Sequence, residues 1–354
     1  MRCFIKKIAL PLLTVLLLAI ACKKNDKIIA VSSEYDPLLE RPYAHIDGTI
    51  WADANEGNRI ISFFDIRFLQ YYILSPVTKK IDYQFICKWD GTEDGIKFIL
   101  NSPEIAPADE LPQDPLYYYA TIEDDKMTIS ECDASWNIIK TVGEYVQTES
   151  YNLDALQYSY VPEAVDLGEM TDSAGGTHHI KWASCNLGGA KESDIGPFFG
   201  WGELHSQISY YPKTFYTNDR PAVLPPERDA AHVRLGGGWR MPNGNEIEAL
   251  VKATNNGICS ITEDTVNDIP GVRITRLTGS NKDNYIFLPY YDDNRSVVQI
   301  GGTGGTKCYL WTSTSSQPND IPYNAVVLHY YKNSLTMTSE NIALARPIRP
   351  VCDI

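Results

Sequence analysis

The chain has 354 residues, 44% of them hydrophobic and 21% charged, enough to bury two cores. Its 31 cationic and 45 acidic residues leave a net charge of −14. A surface this acidic repels phosphate backbones and anionic lipid headgroups, so no nucleic-acid partner is expected.

Residues 1–21, MRCFIKKIALPLLTVLLLAIA, read as a signal peptide: Arg2, Lys6 and Lys7 precede an apolar run from Ile8 to Ile20. That run is about 13 residues, short of the ~20 that span a bilayer. Ala21 directly before Cys22 resembles the bacterial lipoprotein pattern, with Ala19 where leucine is usual. The pattern implies cleavage before Cys22 and lipidation of its sulfur; the alternative is an ordinary signal whose cysteine is incidental. Several acyl chains on one residue anchor stably, at ~0.8 kcal/mol per buried CH₂. Lys23 and Lys24 follow with no aspartate, which favours an outer-membrane lipoprotein, facing the periplasm or the outside. Losing the signal leaves 28 cations against 45 anions, a net of −17. Residues 22–42, the lipidated Cys22 and a polar stretch with two prolines, read as a tether.

Residues 43–150 predict an all-β domain. The runs IISFFDIRFLQYYIL, IDYQFICKWDG, GIKFIL, LYYYATIEDDKMTISEC and WNIIKTVGEYV are β-branched and aromatic, broken by turn formers at hairpin spacing. Asp124 and Asp125 mark the clearest turn. Such a meander must close or be covered, so a small antiparallel barrel or sandwich is expected. DGTIWADANEG, Asp47 to Gly57, resembles the first strand of lipocalin-like domains in bacterial lipoproteins. A barrel interior could hold an apolar ligand, although packed side chains are the commoner filling. Residues 151–164 lose the strand pattern and are expected to link two domains.

From Val165 onward the chain turns rich in Gly, Trp and loops, with one convincing helix. In GGGWRMPNGNEIEAL, 236–250, Pro242 stops what precedes it and Asn243 can cap the helix. Glu246 is placed to reach back to the Asn243 amide, so capping accounts for it. Ile247, Leu250 and Val251 fall on one face. Gly236–Gly238 lack the Lys-Ser/Thr of a phosphate loop and the strand-then-helix setting of a dinucleotide fingerprint. They are expected to let backbone pass beneath Trp239.

Six motifs occur in order: VDLGEM…HHIKWASCNLGG (165–189), GPFFGWGE (196–203), DAAHVRLGGGWRMPNGNEIEAL (229–250), YIFLPYY (285–291), YLWTSTSS (309–316) and ARPIRPV (345–351). On these the C-terminal half, 165–354, resembles the Fibrobacter succinogenes major paralogous domain, a family abundant in lipoproteins of Bacteroides-type bacteria. Departures are Asn243 and Ile247 near the helix start and the insertion TDSAGGTHH after the first motif. More distantly the pattern is similar to the C-type-lectin-like and formylglycine-generating-enzyme superfamily. That likeness implies an α+β fold whose first and last strands pair, with Trp182, Trp201, Trp239 and Trp311 in or near the core. It also implies that Cys185 and Cys352 lie on neighbouring elements, where a disulfide between them is one outcome and free thiols the other. The closely spaced C-terminal cysteine pair of the oxidising enzymes is missing, since Cys308 lies 44 residues before Cys352.

Lectin-type binding uses oxygens that ligate calcium and sugar together. Gln317, Asn319 and Asp320 in QPND, with Asp292 and Asp293 in YYDDNRS, are the candidate ligand or calcium loops. The Trp-Asn-Asp partner strand is missing, and a turn is the alternative. No cofactor beyond calcium is expected. His178 and His179 are adjacent and point to opposite faces of a strand, without an HExxH pattern, and no GxSxG elbow occurs. In the tyrosine doublets at 71–72, 210–211, 290–291 and 330–331, one member should face outward. The expected role is non-catalytic binding of a glycan or protein partner at the cell envelope by a membrane-anchored lipoprotein. The alternative is a structural subunit of an envelope assembly, and a formylglycine-type oxidase or hydrolase ranks below both.

Overall fold

The computed structural model describes residues 42–65, 68–101, 115–149, 151–206, 221–291, 307–316, 324–342 and 344–353. All of them belong to one compact unit, Leu38–Ile354. Cys22 and the tether up to Arg41 lie outside the described residues.

Eight antiparallel strands form the N-terminal half: β1 (Ile50–Asp53), β2 (Arg59–Asp65), β3 (Phe68–Leu74), β4 (Ile81–Gly91), β5 (Ile96–Leu100), β6 (Leu116–Glu123), β7 (Lys126–Cys132) and β8 (Ile138–Gln147). Each pairs with the next, and β1 pairs back onto β8 through Trp51 opposite Gln147, so the sheet closes into a barrel and has no free edge. Asp124, with φ of 53°, makes the β6–β7 turn where the two aspartates were read. The interior is packed with rings. Phe63 meets Trp89 edge-on at 5.5 Å, Tyr71 stacks on Tyr118 at 6.2 Å, and the Tyr71 and Tyr145 hydroxyls bond at 3.0 Å.

The C-terminal half is α+β. Its strands are β9 (Ala164–Asp166), β10 (Met170–Thr171), β11 (Thr177–His178), β12 (Ile180–Ala183), β13 (Trp239–Arg240), β14 (Cys259–Val266), β15 (Ile269–Arg276), β16 (Tyr285–Pro289), β17 (Lys307–Ser315), β18 (Asn324–Tyr331), β19 (Ser334–Asn341) and β20 (Val351–Asp353). Two helices, α1 (Ala230–Leu235) and α2 (Gly244–Asn255), lie between β12 and β14. The last strand, β20, runs between β12 and β13, and β9 completes that sheet. The other larger sheets are β14–β15–β16 and β17–β18–β19.

Helix α2 begins as its sequence dictates. Asn243 Oδ1 accepts from the Glu246 amide at 3.0 Å, and Glu246 Oε2 accepts from the Asn243 amide at 2.8 Å, a complete capping box. Ile247 and Leu250 are buried, with Val251 half-buried. Helix α1 went unread in the sequence, although Asp229 caps it by accepting from the His232 amide at 3.0 Å. Six residues are too few for a visible helical period. Gly236, at φ 72° and ψ −168°, has a backbone conformation that favours glycine, a Cβ there would displace the Gln157 side-chain amide, and its carbonyl accepts from the Trp239 amide at 3.3 Å.

Leu153 and Tyr158 of the connection, residues 151–164, are part of the core that joins the halves. Ile60, Tyr72, Leu74 and Ile81 of the barrel share one buried cluster with Leu153, Tyr158, Phe199, Trp201 and Leu235. Arg234, 2% exposed, ties the joint: its guanidinium donates to the carbonyls of Leu153 (2.8 Å), Leu156 (2.6 Å) and Leu204 (2.6 Å). From the barrel, Gln70 and Gln84 donate to the Ser206 hydroxyl at 3.2 and 2.8 Å. One expectation for the tyrosine doublets fails here. Tyr72 does leave the barrel outward, but the other half covers it to 1% exposure.

The joint also holds an acid that resists ionisation. Burial, reinforced by Asp154 and opposed by Arg228, pushes the Glu203 carboxyl from 4.5 up to about 7. The folded chain therefore binds this proton more tightly than the unfolded chain. Its stabilising contribution is full below the unfolded value and is lost as pH rises through about 7. Glu203→Gln should gain stability relative to the native chain as pH is raised from about 4 to about 8, measured by urea unfolding. Parallel pH profiles for the two proteins would contradict this.

Candidate binding face

The β17–β19 sheet has two distinct surfaces. Strand alternation sends Cys308, Leu310, Leu328, Tyr330 and Leu335 into the core. The other surface carries Lys307 and Tyr309 on β17, His329 and Tyr331 on β18, and Ser334 and Thr336 on β19. Register places Tyr309 opposite His329, Lys307 opposite Tyr331, Thr336 opposite His329 and Ser334 opposite Tyr331. The tight β18–β19 turn depends on Lys332 and Asn333, both left-handed at φ 49° and 62°, and Asn333 accepts from the Tyr330 hydroxyl at 3.0 Å.

The rings on this surface are nearly parallel. Tyr309 stacks on His329 with centroids 4.1 Å apart and planes 7° apart; His329 and Tyr331 are 6.2 Å apart at 11°. The Arg346 guanidinium lies 4.5 Å from the Tyr309 centroid. Two planar groups this near one centroid cannot share a face, so Tyr309 is held between imidazole and guanidinium. Glu340 fixes Arg346 through a 2.6 Å bond to Nε. Lys307 Nζ lies 5.4 Å from the Tyr309 ring and Lys332 Nζ 5.0 Å from that of Tyr331. Burial pushes the His329 imidazole below its ordinary range, with Lys307 and Arg346 adding to the effect. Its Nε2 is shielded from solvent and has no hydrogen-bond partner among the described residues. At the outer end Tyr331 is 40% exposed, beside the exposed hydroxyls of Ser334 and Thr336. The Thr336 hydroxyl donates to the His329 carbonyl at 3.3 Å and keeps its lone pairs as acceptors. Such a surface offers ring faces to C–H groups, and the Ser334 hydroxyl and lysine ammonium groups to oxygens.

Of this group only Tyr331, the outward member of the 330–331 doublet, is legible in the sequence as a surface ring. Alternation in VVLHYYKNSLTMT would have put His329 and Tyr331 on one face. The partners from β17 and the ARPIRPV segment come only with the tertiary register.

The tryptophans are core residues: Trp182, Trp201, Trp239 and Trp311 are at most 9% exposed. Trp201 donates to the Thr312 carbonyl and Trp311 to that of Phe199, each at 2.8 Å. Glu246, besides capping α2, receives both terminal nitrogens of Arg240, at 2.9 and 2.6 Å. The disulfide between Cys185 and Cys352 is not formed. All six cysteines from Cys87 onward are free thiols, and Cys185 instead donates to the Gly189 carbonyl in its own loop at 3.0 Å. Gln317, Asn319, Asp320, Asp292 and Asp293 lie outside the described residues. Among the described residues no group of three His, Cys, Asp or Glu side chains is placed to hold a metal ion.

Three histidine–carboxylate pairs occur apart from this face. His178 Nε2 is 2.8 Å from Asp172, which also accepts from the Gly176 amide. His179 is 3.3 Å from Asp166, which accepts from Gly168. His205 meets Asp154 at 2.5 Å at the joint between the halves. The first two fasten turns and the third fastens the linker to the C-terminal half.

The inner and outer rings of the binding face should differ in stability. Tyr309→Ala, which removes a ring packed on both sides, should cost about 2–3 kcal/mol. Tyr331→Ala should stay within about 1 kcal/mol of the native chain in urea unfolding. Equal losses would show that the outer ring also serves the fold.

No family model, no curated protein and no solved structure matches this chain.

Proposed function

We propose that this chain is an exported, lipid-anchored protein of the bacterial outer membrane that binds a glycan, without catalysis, on the outer face of β17–β19. The observation that carries the reading is the set of parallel rings ending at exposed Tyr331 beside the Ser334 and Thr336 hydroxyls. A sugar ring has an apolar C–H face and a hydroxyl rim, and this surface offers a partner for each. The anchor rests on Ala21 and Cys22 at the end of the leader. The C-terminal half, 165–354, is read as a member of the Fibrobacter succinogenes major paralogous family with a C-type-lectin-like fold. Its six ordered motifs support that assignment, although the last strand, β20, pairs with β12 and β13 and not with the first strand of this half, β9. Fold by itself would not license the function, which is why the reading is tied to named side chains.

A glycan array probed with the full chain, with and without calcium, tests the proposal. The expected outcome is binding that falls at least about tenfold in Tyr331→Ala, equivalent to about 1.4 kcal/mol. Binding that persists in that variant would move the site elsewhere. Calcium dependence would direct attention to Gln317, Asn319 and Asp320. Silence across the array under both conditions would refute glycan binding.

A further inference from the structure

Of the chain's seven tryptophans, six are at most 9% exposed, and Trp136 alone stands outside the cores. It lies in the β7–β8 turn at φ 67°, a left-handed conformation that costs a bulky residue strain. Asp133 enforces that turn: its Oδ1 accepts from the Ser135 and Asn137 amides at 2.8 and 2.9 Å, and its Oδ2 from the Asn137 side chain at 2.9 Å. The indole stands edge-on to Tyr117 at 5.5 Å, with Lys97 Nζ 5.0 Å above it. After Asn137 come Ile138 and Ile139, 59% and 61% exposed. A turn is thus built to present an indole and two isoleucines together.

The position of this patch suggests its partner. Tyr119 is two residues along β6 from Tyr117, so both project from the outer wall of the barrel. Tyr119 lies over Gly95, where a Cβ would come within 2.7 Å of the phenol, and a Cβ at Gly91 would collide with the Pro42 carbonyl. Pro42, the first described residue, therefore joins the barrel at the β4–β5 turn beside Tyr119, on the wall that carries the patch. The C-terminal half packs on the other side, through Ile60, Tyr72, Leu74 and Ile81 of β2, β3 and β4.

We propose that this wall, centred on Trp136 with Ile138, Ile139, Tyr117 and Tyr119, docks onto the surface of the lipid bilayer that holds the Cys22 anchor. The inference rests on the lipid-anchored reading above and goes beyond it by naming a second, noncovalent membrane contact. Indole and phenol rings favour the boundary between headgroups and acyl chains, and Lys97 can extend its ammonium to the headgroups. The occupant is a zwitterionic surface, because the chain without its leader, of net charge −17, is repelled by an anionic one. The tether keeps the wall at high effective concentration near the membrane, so a patch too small to bind by itself suffices. Docking by this wall turns the C-terminal half away from the bilayer.

The test uses the full chain, purified from membranes and reconstituted into vesicles of zwitterionic phospholipid brominated on the acyl chains, with flotation and tryptophan fluorescence both read. The expected result is flotation with quenching that is lost in W136F and reduced in I139S, since the remaining indoles are buried. Flotation without quenching in the native chain, or quenching unchanged in W136F, overturns the docking proposal and leaves the anchor standing. Failure to float refutes both. A mass measurement of the N-terminal peptide reports the acylation of Cys22 independently.

Discussion

Buried guanidinium groups hold the loop-rich C-terminal half together. Arg234, Arg346 and Arg349 are each at most 2% exposed. Arg349 donates to Asn186 Oδ1 at 2.9 Å and to the carbonyls of Ala183 at 2.9 Å and Phe287 at 2.5 Å. Arg234 gathers three carbonyls from the linker and the loop that follows Trp201. Segments outside regular structure have carbonyls that no ladder satisfies, and an unpaired buried carbonyl costs about 1–3 kcal/mol. A planar fork with five donors satisfies several at once and also fixes the spacing of the loops it bridges. Burial lowers the Arg349 pKa to about 10, which still leaves the group charged near neutrality.

The same device sets the relation of the two halves. Arg234 sits on α1 yet holds Leu153 and Leu156 of the connection, and the Tyr158 amide donates to its carbonyl at 2.7 Å. The connection in turn hydrogen-bonds to Ile81 of the barrel, through the Gln157 carbonyl and the Ser159 amide. The barrel is thus joined to the rest by a continuous set of backbone and guanidinium contacts around a shared apolar cluster. The two outer surfaces, Trp136 on the barrel and Tyr331 on the C-terminal half, thus belong to one compact unit.

Aromatic residues serve three purposes, separated by what covers them. Trp51, Trp89 and Tyr71 fill the barrel, and Trp201 and Trp311 fill the other core while donating to backbone carbonyls. Tyr309 is intermediate, packed between Arg346 and His329. Tyr331 and Trp136 are left partly in solvent, each beside a lysine. Composition cannot distinguish these uses, because the same residue types favour strands, cores and contact surfaces alike.

Local chemistry by itself determined a good deal of this protein. The strand runs of 43–150, the Asp124–Asp125 turn and the Asn243–Glu246 capping box were all legible because each depends on residues a few positions apart. Sequence could not choose between barrel and sandwich, since closure rests on Trp51 meeting Gln147 across the whole domain. It passed over α1, too short to show a period, and could not show that Gly236 adopts φ 72° with the distant Gln157 side chain against it. It left the fate of Cys185 and Cys352 open, and the tertiary structure kept them as free thiols. Of the stacked face and the Trp136 wall only parts are local: alternation puts His329 and Tyr331 on one face, and Trp136, Ile138 and Ile139 are neighbours in sequence. Their partners Tyr309 and Tyr117 come from other strands, which register and closure bring alongside.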